Sequence, residues 1–373
     1  MANCETKTSL ALPFLLLAAA WYIQSYCVHG EPQVPCLFIF GDSLSDSGNN
    51  NNLSTYAKAN YKPYGIDFPT GPTGRFTNGR TSIDIITEFL GFENFIPPFA
   101  NTSGSDILQG VNYASGAAGI RKETGKHLGE DISLGSQLTN HKTIVSQIET
   151  RLGSADKAQQ HLNKCLYYVN IGSNDFMNNY FIPQFYSSSR SYTREQYVDA
   201  LIQELSMNLL ALREAGARKY VLVGLGGIGC IPKTISVHGT GGSCVEEENI
   251  AALIFSDKLR SIVDQFNNEF SHDSKFIFIN STAGSIDESF GFNVSAAGCC
   301  STRTDGQCVP DETPCQNRNE YVFFDEFHPT EAVNMLTAMA SYNAPNSDFA
   351  YPMDIKHLVD QKLEIQNKEH ASS

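Results

Sequence analysis

The sequence has no cluster of lysine and arginine. Acidic residues outnumber basic ones, 40 to 26, for a formal net charge of −14, which argues against nucleic acid or an anionic membrane surface as the main partner. No Cys-x-x-Cys pair occurs, so the paired elements of a structural zinc site are missing. Beyond the N-terminus no apolar stretch approaches the roughly 20 residues that a membrane span requires. No Pro/Ser/Gly tract, like-charge run or internal repeat divides the chain. A length of 373 residues leaves room for two domains, but strand-like and helix-like segments alternate throughout, and that alternation predicts a single α/β domain.

The N-terminus departs from this pattern. Lys7, partly offset by Glu5, precedes an apolar run from Leu10 to Ile23 that is too short for a span and is followed by small residues and Gly30. Residues 1–30 therefore read as a signal peptide cleaved near Gly30, with a retained anchor as the alternative, and residues 31–373 as the mature domain. Removing the leader takes away Cys4 and Cys27 and leaves Cys36, Cys165, Cys230, Cys244, Cys299, Cys300, Cys308 and Cys315. An even set in a secreted chain predicts disulfides. Cys230 and Cys244 would close a glycine-rich loop, and the last four lie in a segment with little regular pattern. Sequons at Asn52, Asn101, Asn280 and Asn293 suit the same compartment.

Polar chemistry gathers at the ends of apolar runs. Residues 36–40 read as a short buried strand that stops in Gly41-Asp42-Ser43, placing Ser43 where open α/β sheets build their sites. A serine hydroxyl is a weak nucleophile without a base and a group to orient that base. Asp325 and His328, in Asp325-Glu326-Phe327-His328 ahead of a helix-like segment, supply both residue types. Two other clusters stand out. Residues 112–120 are a run of small residues that would let a backbone amide approach a ligand, and Gly172-Ser173-Asn174-Asp175, after a strand at 165–171, offers a neutral side-chain donor. Each cluster also has a plain reading: Asp and Ser satisfying a turn, Asn as a turn residue, Asp325 as a cap with His328 on the surface.

In chain order, Gly41-Asp42-Ser43-Leu44, Asn112-Tyr113-Ala114-Ser115-Gly116, Gly172-Ser173-Asn174-Asp175 and Asp325-Glu326-Phe327-His328 resemble the four signature blocks of plant GDSL esterase/lipases, a branch of the SGNH hydrolases. The resemblance runs from about Cys36 to about Asp354. It implies a three-layer α/β/α domain with a mostly parallel, flavodoxin-like sheet and a cofactor-free, metal-free hydrolase of carboxylic esters, secreted to the cell wall or apoplast. Residue by residue, it implies Ser43 as nucleophile, His328 as base and Asp325 as its orienting partner. The oxyanion donors it implies are the amides of Ser43 and Gly116 and the side chain of Asn174. Relatives often carry Gly-Gly where this chain has Gly116-Ala117, and Trp where it has Phe324. The order Ser, Asp, His is also that of α/β hydrolases, but no Gly-x-Ser-x-Gly elbow surrounds Ser43. An acyltransferase using the same residues and a catalytically inert binding glycoprotein are the alternative readings.

The remaining segments frame these blocks. Helices are expected at 81–90, 134–152, 193–216 and 246–270, with a final one at 329–342 that has Pro329 in its first turn. Strands are expected at 219–225 and 275–279, the latter as the last. Residues 61–76 lack any period and read as a wall of a binding cleft. Gly224-Leu225-Gly226-Gly227-Ile228-Gly229 fits a dinucleotide-binding pattern, but Pro232 and β-branched residues follow where a helix should open, so it reads as a loop at the cleft rim. Asp42, Asp46 and Asp175 read as acceptors for loop backbone, since no cluster of His or Cys surrounds them.

Overall fold

Four apolar strands of five residues each carry the sheet: β1 (Leu37–Gly41), β2 (Leu166–Asn170), β3 (Lys219–Val223) and β4 (Lys275–Ile279). They are seen in a computed structural model that describes residues 31–102, 106–283 and 288–363; the expected leader at 1–30 lies outside these. The strands run parallel in the order β1-β2-β3-β4. On the free side of β1, Ile39 bridges Asn112, so residues 111–113 occupy the place of a second strand, as in a flavodoxin-like sheet.

Side chains alternate across the sheet, and that alternation builds two cores. Phe38, Phe40, Tyr167, Val169, Tyr220, Leu222, Phe276 and Phe278 pack with the helices Leu134–Leu152, Arg194–Glu214 and Glu246–Glu269. Their neighbours Leu37, Ile39, Leu166, Tyr168, Val221, Val223, Ile277 and Ile279 face the helices Ser82–Phe89, Glu331–Tyr342 and Ile355–Asp360. One row, Ile39, Tyr168, Val221 and Ile277, crosses all four strands in register. The layers are α/β/α, as expected. Local chemistry sets the helix ends: Thr193 and Gln196 form a capping box, and Gly153 closes its helix with φ of 79°.

Three expectations need correction. The strand at 275–279 is not the last. β5 (Val294–Gly298) and β6 (Tyr321–Phe323) pair in a separate parallel ribbon, and β7 (Ala350–Tyr351) lies antiparallel on β4. The final long helix begins at Glu331 behind an N-cap at Thr330, so Pro329 precedes it, and Ile355–Asp360 follows. A helix, Pro232–His238, does open after the glycine-rich loop, but a 3-10 turn at Ile228–Cys230 separates it from β3 and the glycines do not front its first turn. The eight cysteines pair as Cys36–Cys165, Cys230–Cys244, Cys299–Cys315 and Cys300–Cys308.

Candidate active site

β1 ends against a side chain that holds it still. The Gly41 N–H donates to Oε1 of the buried Gln137 at 3.0 Å, and Gln137 Nε2 donates to the Gly41 carbonyl at 2.8 Å. No larger residue fits at Gly41, because a Cβ there would lie 2.6 Å from the Asn170 carbonyl oxygen of β2. The chain then turns, with the Leu44 N–H donating to Asp42 Oδ1 at 3.0 Å, and leaves Ser43 partly exposed.

His328 arrives from the other end of the chain. Beyond β6, the N–H groups of Phe327 and His328 both donate to Asp325 Oδ1 at 2.8 Å, a turn closed by the aspartate itself. That turn folds the imidazole over the carboxylate, with Nδ1 2.9 Å from Oδ1 and 2.8 Å from Oδ2. Nε2 lies 2.8 Å from Ser43 Oγ. With Nδ1 facing a carboxylate it is the nitrogen that carries hydrogen, which leaves Nε2 to accept the serine proton. Asp325 is fully buried and His328 nearly so, and Phe76 packs on the imidazole with ring centroids 4.9 Å apart.

Sequence reasoning missed the support beneath this trio. Within residues 61–76, expected as a cleft wall, Tyr64 and Phe76 pack with Phe324, Cys299, Cys300 and Cys308. The Tyr64 hydroxyl donates to Asp325 Oδ2 at 2.6 Å, across 261 positions of sequence. The Asn-rich loop after Ser43 is a clamp as well. Asn49 Nδ2 donates to the carbonyls of Asn112 and Ala114, Asn50 Nδ2 to that of Gly116, and Asn112 Nδ2 to that of Ser45. The run Asn49–Asn52 behind the first motif block and Asn112 in the second were the available signal.

Asp46 and Asp175 hold the small-residue run from its two ends, as loop acceptors. Asp46 Oδ1 accepts the N–H groups of Gly48 and Asn49, and its Oδ2 that of Gly116 at 2.9 Å. Asp175 accepts the N–H groups of Ile120 and Arg121 and the Thr124 hydroxyl. Burial pushes Asp42 and Asp46 up to about 6 and Asp175 up to about 7. The expected role of Gly116 therefore changes: its N–H is committed to Asp46. Residues 115–118 form a turn in which the Ala118 N–H donates to the Ser115 carbonyl at 3.1 Å and Ala117 has φ of 65°, a type II pattern. Asn50 holds the Gly116 carbonyl at 3.0 Å, so across the trans peptide the Ala117 N–H points away from Asn50. Among the described residues the N–H groups of Ser43 and Ala117 have no acceptor. Asn174, also buried, donates from Nδ2 to the Ala118 carbonyl at 3.0 Å and accepts from Asn178 at 2.6 Å, leaving one amide hydrogen unused.

Elsewhere, Asn52, Asn101 and Asn293 are exposed, whereas Asn280 is partly buried and donates to the Asp348 carbonyl at 3.0 Å. Among the described residues one group has metal-like spacing, Cys36, His161 and Cys165, and its two sulfurs are joined in a disulfide.

A profile of the GDSL-like lipase/acylhydrolase family matches residues 37–341. The chain is 52% identical to GDSL esterase/lipase At1g29670 of Arabidopsis thaliana over 337 residues, covering 88% of this chain and 92% of the relative. It is 50% identical to GDSL esterase/lipase At1g29660 of the same plant over 355 residues, 92% and 97% of the two chains.

Proposed function

The chain belongs to the GDSL-like lipase/acylhydrolase family, and from that premise we propose that it cleaves carboxylic esters through an acyl-enzyme formed on Ser43. That it is a carboxylic ester hydrolase with small-molecule ester substrates follows from the family and from relatives named esterase/lipase at half identity. The residue roles are our reading, and one observation carries them: the 2.8 Å contact between Ser43 Oγ and His328 Nε2, with Asp325 behind the imidazole.

In this reading Ser43 Oγ attacks the ester carbonyl as His328 Nε2 takes its proton, and Asp325 stabilises the imidazolium that forms. The same nitrogen hands the proton to the departing alcohol, leaving Ser43 acylated. Water then enters and attacks the acyl carbon as it loses a proton to Nε2, and Nε2 returns that proton to Ser43 Oγ as the bond to the acid breaks. The oxyanion is received by the three donors with capacity to spare: the N–H of Ser43, the N–H of Ala117 in place of Gly116, and the second Nδ2 hydrogen of Asn174. Ala117 at positive φ is a strained choice for a non-glycine residue, the kind of outlier that accumulates at functional sites. Residues 31–373 act as one hydrolase domain outside the cell. Supporting this are the apolar leader, four disulfides and three exposed sequons; among the described residues no helix is long and apolar enough to cross a membrane.

A fluorophosphonate probe tests the reading. Ser43 is expected to be the labelled serine, with labelling nearly abolished in His328→Ala and ester hydrolysis lost in Ser43→Ala. Label spread over several serines, or a folded Ser43→Ala protein that still hydrolyses esters at the parent rate, would remove the assignment.

A further inference from the structure

Tyr64 reaches the site from a segment outside all four motif blocks. Its ring is fully buried and meets Tyr61, Phe76 and Phe324 edge-on, with centroids 5.3, 6.2 and 5.7 Å away. Its hydroxyl makes two hydrogen bonds whose directions are set by the partners. The Cys308 N–H can only donate, at 3.2 Å, so the hydroxyl hydrogen is left for Asp325 Oδ2 at 2.6 Å. Asp325 Oδ1 is occupied by two backbone N–H groups, and Oδ2 is the oxygen that the phenol and His328 Nδ1 share. Cys308 is tied by its disulfide to Cys300, whose N–H donates at 2.9 Å to the carbonyl of Phe324, the residue before Asp325. One lobe thus fixes both the backbone of the aspartate and the phenol on its side chain. Burial keeps the phenol well above its ordinary range, so it remains a donor.

We propose that Tyr64 is a positioning residue for ester hydrolysis: it holds the Asp325 carboxylate in place and moderates its pull on His328, aimed by the Cys300–Cys308 loop. The inference rests on the triad reading above. The titratable and charged groups around this pair are few: Tyr64 and His328 on the carboxylate, Tyr61 with Arg303 over its ring, and Asp42 beside His328. Among the described side chains only Tyr64 and His328 hydrogen-bond to Oδ2.

Tyr64→Phe keeps the ring and removes the hydroxyl. With p-nitrophenyl butyrate, kcat should fall by about 10- to 100-fold with KM changed less than about twofold, because the loss is of geometry at the reacting atoms. The acid limb of kcat/KM should move to higher pH, since a carboxylate with one donor fewer holds a protonated imidazole more strongly. A purely structural role would lower activity without moving that limb. A double-mutant cycle gives a second readout: in an Asp325→Asn background, Tyr64→Phe should leave the rate of fluorophosphonate labelling of Ser43 unchanged. An unmoved acid limb with full kcat, or losses that multiply in the cycle, would overturn the inference. Ser43→Ala is measured alongside. If it retains hydrolysis, the triad reading itself falls; if it is dead while Tyr64→Phe is unaffected, only the role of Tyr64 falls.

Discussion

Replacing Asn174 by alanine removes a donor and a brace together, and the geometry separates the two. Nδ2 gives one hydrogen to the Ala118 carbonyl at 3.0 Å, which leaves a single hydrogen for a developing oxyanion. Losing one such donor lowers kcat by roughly 10²–10³, or about 2.7–4 kcal/mol of barrier. The brace is the pair of bonds to Ala118 and from Asn178, the latter 2.6 Å long, each worth about 1 kcal/mol of stability. The alanine variant should therefore lose about 2 kcal/mol of folding stability and remain folded. Asn174→Asp distinguishes the terms. Its carboxylate still accepts from Asn178 but donates nothing, and it sets negative charge where the oxyanion forms, so kcat should fall further than in the alanine variant. Steady-state hydrolysis of p-nitrophenyl butyrate, with kcat and KM resolved and a thermal melt of each protein, makes the comparison. An alanine variant with raised KM and unchanged kcat would mean that Asn174 binds substrate and transition state alike. An aspartate variant more active than alanine would refute the oxyanion role.

Gly116→Ala puts a Cβ 2.7 Å from the Phe76 ring and 2.8 Å from Asn50 Nδ2. Phe76 packs on His328, so we expect kcat to drop by at least about tenfold along with the melting temperature; an unchanged kcat would show that the loop yields freely. Stability should peak in mild acid. Asp42 and Asp46, raised by burial to about 6, and Asp175, raised to about 7, hold protons more tightly in the native chain than in the unfolded one, so their stabilising contribution is complete below about 4 and disappears as pH climbs through 6 to 7. Asp84 works the other way: despite burial, Arg75 at 2.7 Å holds it below the usual range, and that contribution vanishes below about pH 4. A melting temperature that rises steadily from pH 5 to 8 would contradict this balance.

The strands and the motif blocks at their ends were legible because they depend on local pattern. Five-residue apolar runs that end in Gly, Ser or Asn mark buried parallel strands and their carboxyl ends without tertiary information. Which amide of the small-residue run stays without an acceptor was not legible. Gly116 and Ala117 differ little in chemistry, and the outcome turns on the carboxylate of Asp46, seventy positions earlier, taking one N–H and on the φ of the other. β5 escaped because Val294–Gly298 is built of small, mostly exposed residues with no apolar alternation. Tyr64 was hidden by distance, in an irregular stretch where an aromatic residue carries no local signal.

If Ser43 and His328 act as proposed, their separation of 285 positions also sets when activity can begin. A ribosome adding about 5–20 residues per second needs roughly 15–60 s to travel from one to the other. Throughout that interval the serine has emerged but no base exists to take its proton. β1 itself waits for β2, which follows it by 129 residues. On that reading a growing or prematurely terminated chain would cleave no ester. On that reading hydrolytic power would appear only near the end of synthesis, once the loop that carries His328 meets the end of β1.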